Sequence, residues 1–382
     1  MPEVSVREAL ELALTAHREN ELGKARKIYE DVLKADPENV DSLHYLGLIC
    51  HQEGKLEEGI EYMKKALKLA PDNTHYWQNI GSAYSQAEDY ENAMDALKKS
   101  IELEPNNHIA YGNMVYALKK LERYPEAIEY GQQCLDIKDK FFCAAFNKLK
   151  SKPSLQLKKH PGAYAPQQKN VISFSLWGDN EFYTGGAIAN AAIAPYLFPE
   201  WVCRFYCGKD VPQAVLEKLN KLGAEVMLVQ QKNQGAFPGL AWRFLVSDDE
   251  SVTRFICRDC DSRLSVQEKI AVDEWVASNK YFHILRDNII HCELILAGMW
   301  GGIAGVIPNM QKLIEEFYTE DHAQFRDQGF LRTMIWPLIK DTAMTHDRYY
   351  RLGDTKGYSP YGERPGLLHI GGSEQWDLKR FS

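Results

Sequence analysis

The side chains best suited to chemistry stand in one short stretch, Arg254-Phe255-Ile256-Cys257-Arg258-Asp259-Cys260-Asp261-Ser262-Arg263-Leu264. An apolar run ends there in two carboxylates at i and i+2, and a helical pattern begins at Ser265. If the backbone stays extended where a buried strand exits, Asp259 and Asp261 face the same way. They then offer hard oxygen ligands suited to Mn²⁺ or Mg²⁺, and an ion held by one or two side chains keeps positions open for a diphosphate. The plainer account is a solvated strand-to-helix turn in which Ser265 and Glu268 form a capping box. It covers those two residues and leaves Asp259, Asp261 and the arginines beside them unexplained.

The elements that must position these acids follow from the pattern beyond Val171. Strands are predicted at Val171–Trp177, Trp201–Tyr206, Glu225–Val229, Val252–Cys257 and Tyr281–Leu285. Helices are predicted at Thr184–Tyr196 (stopped near Pro195), Val211–Leu222, Phe237–Val246 and Val266–Ser278. Such alternation predicts a mainly parallel, Rossmann-like sheet with ligands at the carboxyl ends of its strands. Both the Trp177-Gly178-Asp179 exit and the Asp259–Asp261 exit belong to that edge.

The first third of the chain repeats every 34 residues, as Pro37, Pro71 and Pro105 show. Ala25, Gly59, Ala93 and Ala127 keep the same phase, as do Leu33, Leu67, Ile101 and Leu135, and Gly47 with Gly81. Each period reads as two amphipathic helices stopped by a D-P, A-P or E-P step. The pattern resembles four tetratricopeptide units, the last altered where Asp139 replaces the proline. The resemblance implies an α-solenoid with a concave groove for a peptide or protein, or for a contact between two copies. Tyr62, Tyr76, Trp77, Asn79 and Asn113 are candidates to line the groove, with a place in the inter-helix core as the other reading for the aromatics. The expected division is a repeat domain over 1–144, a lysine- and proline-bearing connection over 145–170, and an α/β domain over 171–382.

With 382 residues there is room for two or three domains, and a net charge of −8 argues against a phosphate backbone as the main partner. No apolar run reaches the length of a membrane span, and the N-terminus lacks a signal pattern, so a cytoplasmic location is expected. The eight cysteines, including the Cys257/Cys260 pair, are read as reduced buried thiols rather than a zinc site.

From Val171 to Phe381 the chain resembles the GT-A class of metal-dependent, nucleotide-sugar glycosyltransferases. The residues carrying the resemblance are the first strand and its turn, Trp242-Arg243-Phe244, and the Arg-Asp-x-Asp-Ser-Arg motif at 258–263. Further matches are Ala297-Gly298-Met299-Trp300-Gly301-Gly302, Asp327-Gln328, and His369-Ile370-Gly371-Gly372. The resemblance implies a donor, expected to be UDP-linked, and a cation held by Asp259, Asp261 and His369. It places Phe174, Ser175 and Leu176 at the base and ribose, Tyr183 against the base, and Trp300 and Gly301 beside the sugar. Arg243, Arg258 and Arg263 would offset phosphate charge or else pair with neighbouring acids. For Phe174 and Trp300 a core role is the equal alternative. Asp327 and Asp287 are the candidate general bases of an inverting reaction, whereas a retaining one needs none.

The expected function is therefore metal-dependent transfer of a sugar to an acceptor hydroxyl, on a protein, peptide or glycan brought in by the repeats. Repeats joined to sugar transfer also invite comparison with O-GlcNAc transferases, whose longer GT-B region needs no metal. The alternatives are a nucleotidyltransferase, for which no Gly-rich phosphate loop is present, and a tetratricopeptide adaptor whose second domain is inactive. Sugar, acceptor, stereochemistry and oligomeric state are not written in these residues.

Overall fold

Helix ends set the frame of the first third of the chain. The computed structural model describes residues 5–229, 239–318 and 327–357. The chain falls into two units that part between Ile137 and Lys138. Paired helices make up the first: α1 (Val6–Arg18), α2 (Leu22–Ala35), α3 (Val40–Gln52), α4 (Leu56–Leu69), α5 (Thr74–Gln86), α6 (Tyr90–Leu103), α7 (His108–Lys120) and the start of α8 (Tyr124–Asn147). Asn39, Asn73 and Asn107, themselves 34 apart, cap α3, α5 and α7 by accepting backbone N–H groups of the first turn. The small residues in phase with them do what their size predicts. Ala25, Ala93 and Ala127 are fully buried, and a Cβ on Gly59 would stand 2.8 Å from the Gly47 carbonyl oxygen. Where the fourth repeat lacks its proline, nothing breaks the helix, and α8 runs on for 24 residues.

The aromatic candidates serve the interior of the array. Tyr76 is buried, stacks on His44 at 4.0 Å between ring centroids and donates its hydroxyl to Asp41 at 2.9 Å. Trp77 donates its indole N–H to the Pro71 carbonyl at 2.6 Å, and Tyr62 packs half-buried against the same core. Asn79 reaches the His44 ring at 3.0 Å, while Asn113 is half-buried.

Among the described residues the second unit carries eight strands in the order β3-β2-β1-β4-β6-β5-β7-β8. They are β1 (Asn170–Leu176), β2 (Trp201–Cys207), β3 (Glu225–Leu228), β4 (Arg254–Arg258), β5 (Phe282–Arg286), β6 (Trp300–Ile303), β7 (Ala343–Asp347) and β8 (Thr355–Gly357). Pairing is parallel except at β6, which runs antiparallel to both β4 and β5, so the sheet is mixed. The sequence pattern misses β6 because Trp-Gly-Gly-Ile is short and glycine-rich. Those glycines are needed where strands crowd: a Cβ on Gly301 would meet the Phe255 carbonyl at 2.4 Å. The helices are α9 (Glu181–Leu197), α10 (Gln213–Lys221), α11 (Val266–Val276) and α12 (Met310–Phe317). Pro195 sits inside the last turn of α9 instead of stopping it, and Gly239–Asp248 is a 3-10 segment, not an α-helix. A further helical run joins α13 (Asp327–Phe330), a π-helical turn at Leu331–Ile335 and α14 (Trp336–Ile339).

Residues 148–169 form no helix or strand but are held on the second unit, with Gln156 donating to the Val306 carbonyl at 2.8 Å and Arg254 to Gln168 at 2.7 Å. The core under the sheet gathers Ile172, Phe174, Phe205, Ile256 and Trp275. Burial pushes the Cys257 thiol up to about 12 and Cys260 well above its ordinary value, which leaves both as packing groups. No helix among the described residues is long and apolar enough to cross a membrane.

His44 yields a pH prediction for the first unit. Burial lowers its pKa to about 4, against an ordinary 6.5. Between those values the unfolded chain binds more protons than the folded one. The stability tied to this neutral ring is full above pH 6.5 and is lost as pH falls toward 4, at no more than about 1.4 kcal/mol per pH unit. Urea unfolding at pH 7 and pH 5 should show a smaller loss for His44→Gln than for the natural chain; equal losses would refute the assignment.

Candidate active site

Strands β1 and β4 are neighbours in parallel, with Phe174 opposite Arg258, and β1 runs two residues further, so both exit at the same edge of the sheet. The residues that follow, Trp177 after β1 and Asp259 after β4, therefore meet at one edge. They open on a cavity of about 300 Å³ walled by Ser175, Leu176, Trp177 and Tyr183 on one side and Arg243, Asp259, Cys260 and Asp261 on the other. A second cavity of about 330 Å³, between Trp177, Lys209, Asp210 and Trp242, shares the Trp177 wall. Trp177 is 43% exposed and meets Trp242 edge-on at 6.2 Å.

Two serines of β1 fix the 3-10 segment over this edge. Ser173 donates its hydroxyl to the Arg243 carbonyl at 2.7 Å, and the Arg243 N–H donates to the Ser175 hydroxyl at 2.9 Å. Because i and i+2 lie on one face of a strand, the pair grips Arg243 from both backbone sides. Its guanidinium then spans two acids. Nη1 bonds Asp259 Oδ1, and Nη2 bonds Asp327 Oδ2 at 2.7 Å. Burial opposes the charge on Arg243, and the two carboxylates outweigh that, so the guanidinium stays protonated. Asp327 is 7% exposed, and burial raises its pKa against the opposing pull of Arg243.

The acid loop is seated by two glycines. A Cβ on Gly186 of α9 would stand 2.0 Å from the Cys260 carbonyl oxygen, and one on Gly298 would stand 1.9 Å from Asp259 Oδ2. Arg263 Nη1 donates to the Cys260 and Ser262 carbonyls at 3.1 and 3.3 Å, turning its charge onto the loop backbone.

Of the residues singled out in the sequence, Ser175, Leu176, Tyr183, Arg243, Asp259 and Asp261 share this cavity. Others lie elsewhere, for identifiable reasons. Phe174 points into the core and stacks on Phe205 at 4.7 Å. Arg258 is turned inward, where it is locked by an ion pair to Glu268 with both side chains 2% exposed. That pairing also undoes the expected capping box: Ser265 accepts the Glu268 N–H, but the Glu268 carboxylate goes to Arg258. Trp300 is fully buried, edge-on to Phe244 and Phe255, and Gly301 is spent on the β4–β6 ladder.

Asp327 has both oxygens engaged, Oδ1 accepting the Gln328 N–H at 2.9 Å, so it is not poised as a general base. Asp287, at the exit of β5, is buried, with His291 Nδ1 4.0 Å away, and is not among the cavity residues. His369 lies outside the described residues. Sequence reasoning did not count Trp177, Leu240 or Gly298 among the site residues. A tryptophan placed just past a strand end is the one signal that would have found Trp177.

Residues 39–105 and 108–141 match tetratricopeptide-repeat models. The N-terminal region is a tetratricopeptide-repeat array. Solved structures similar to this chain include the MamA protein, at 26% identity over 37% of this chain and 77% of that one, TM-score 0.34. Another is YrrB, described as a tetratricopeptide protein with an unusual peptide-binding site, at 18% identity over 38% and 75%, TM-score 0.34. Comparison with the curated proteins returns no match.

The glycine contacts predict opposite outcomes for two similar substitutions. Gly298→Ala should destabilise the chain by about 1–3 kcal/mol, because the new methyl group collides with Asp259. Gly185→Ala, with nothing within 4 Å of the new atom, should stabilise α9 by about 0.5–1 kcal/mol. Denaturant midpoints decide, and a neutral Gly298→Ala would mean that Asp259 is not seated there.

Proposed function

We propose that the array docks a polypeptide and that the second unit is a metal-dependent glycosyltransferase of the GT-A kind, acting on an acceptor held by the repeats. The observation that carries this reading is the cavity at the carboxyl ends of β1 and β4, which Trp177, Tyr183, Arg243, Asp259 and Asp261 line together. The donor set fits a hard cation. Asp259 and Asp261 of one loop both line the cavity and offer hard oxygen atoms. Since no group of three or more His, Cys, Asp or Glu gathers among the described residues, the ion would take its remaining ligands from the diphosphate, from water or from residues outside them. Arg243 Nε is buried and has no hydrogen-bond partner among the described residues, a donor that suits an anionic ligand.

In this reading Asp259 and Asp261 hold Mn²⁺ or Mg²⁺, with His369 proposed as a third ligand. A bound cation would supply charge neutralisation for a departing diphosphate without proton transfer. Ser175 and Leu176 line the ribose side, and the exposed faces of Trp177 and Tyr183 give a nucleobase, as in UDP, surfaces to stack on. Arg243 adds a fixed positive charge that needs no reorganisation when the bond breaks. With Asp327 committed to Arg243 and Asp287 not among the cavity residues, neither candidate base stands in the cavity, and the retaining course, which needs none, is the one proposed. Location in the cytoplasm and pairing of copies through the repeats are part of the same proposal.

A second reading has its own support. The matches to known proteins that name a family fall on residues 39–105 and 108–141, inside the repeats. They fit the alternative of a tetratricopeptide adaptor whose second domain is inactive.

Hydrolysis of a panel of UDP-sugars with Mn²⁺ separates the two. Glycosyl transfer predicts turnover that vanishes with chelator and falls at least about 100-fold in Asp261→Asn, the scale of losing a group that stabilises transition-state charge. Turnover indifferent to chelator would refute the metal role, and absence of any nucleotide binding would favour the adaptor.

A further inference from the structure

Asp327 was expected to act on the acceptor, yet its geometry gives it another task. It lies on α13, while the guanidinium it bonds belongs to the 3-10 segment and reaches the loop after β4 with its other nitrogen. Arg243 therefore bonds both carboxylates at once, Nη1 to Asp259 and Nη2 to Asp327, and its single positive charge is shared between them. Asp259 is the exposed member of the trio, with 40% of its side chain accessible against 9% for Asp327 and 4% for Arg243. Its Oδ1 is committed to Arg243 and its Oδ2 lies against Gly298. A cation bound at Asp259 must compete with the guanidinium for the same charge.

We propose that Asp327 is a positioning residue that sets the metal affinity of the site: by drawing Arg243 toward itself, it limits the hold of the guanidinium on Asp259 and keeps that carboxylate available to a divalent cation. The inference rests on the metal-dependent reading of the cavity. It assigns no contact between Asp327 and substrate. Its effect is argued through Arg243, and the direct loss of one negative charge acts in the same direction, so the two routes are told apart by removing Arg243. Neutralising Asp327 hands the whole guanidinium to Asp259 and weakens metal binding, and the net negative charge of the site also falls. Neutralising Asp327 and Arg243 together leaves that net charge as it was and removes the competitor, so metal binding strengthens.

The test is Mn²⁺ titration of the full chain by electron paramagnetic resonance, with circular dichroism and melting recorded alongside. Asp327→Asn should weaken Mn²⁺ about tenfold, within the usual range of coupling between interacting sites. The double variant Asp327→Asn/Arg243→Gln, which leaves neither buried charge without its partner, should bind Mn²⁺ more tightly than the natural chain. If Asp327→Asn does not fold, comparison of Arg243→Gln with the double variant decides. With the guanidinium gone, Asp327→Asn should change Mn²⁺ affinity little, and a further loss of about tenfold in that background overturns the proposal. Unchanged or tighter binding in folded Asp327→Asn, or a double variant no tighter than the natural chain, overturns the proposal. Absence of Mn²⁺ binding in the natural chain instead overturns the metal reading on which it rests.

Discussion

One buried guanidinium holds the candidate site together. Arg243 is fixed by its backbone to Ser173 and Ser175 of β1 and by its side chain to Asp259 and Asp327. Four segments distant in sequence are thus tied at one charged group. A buried cation of this kind is costly unless its partners are in place, and stripping away one partner typically costs several kcal/mol. The arrangement therefore constrains the edge of the sheet to one geometry. It also sets the electrostatics of the cavity, since the same group that orders the loop determines how much negative charge Asp259 has left.

The rest of the second unit reads as support for that edge. Adjacent parallel strands bring Trp177 and Asp259 to one edge of the sheet, and Gly186 and Gly298 allow α9 and the segment before β6 to close on the acid loop. Away from the cavity a further buried pair, Arg286 with Asp347 at 2.6 Å, joins β5 to β7. Lys138 donates to the Cys292 carbonyl at 2.8 Å, and Asp139 accepts from the Trp336 indole at 2.7 Å, so the end of α8 is bound to the helical run that carries Asp327. Burial of the Arg286–Asp347 pair makes it a strict positional demand, because neither charge finds water as a substitute.

Much of this was legible beforehand. The 34-residue phase located every helix pair because small residues and prolines recur at positions where backbone contact and helix termination leave few alternatives. The strands on either side of the acids followed from apolar runs of the right length. What escaped were features set by tertiary partners. Four apolar or glycine residues at 300–303 carry no strand signal until β4 and β5 flank them. Arg258 and Arg243 are alike in sequence, and only Glu268 on one side and Asp327 on the other decide which turns inward and which faces the cavity. The 3-10 geometry of Gly239–Asp248 is likewise imposed by the two β1 serines and was not visible in local propensity.

The array and the second unit differ in what supports their assignment. Repeat identity rests on phase, on caps at Asn39, Asn73 and Asn107, and on direct matches to repeat models. The proposed chemistry rests on a cation between neighbouring carboxylates. Anomalous diffraction from crystals grown with Mn²⁺ and UDP addresses that point most directly. A manganese peak within coordination distance of Asp259 and Asp261, with the diphosphate beside it, is the predicted result. Ordered UDP with no peak at those acids, or manganese bound elsewhere on the chain, would contradict it.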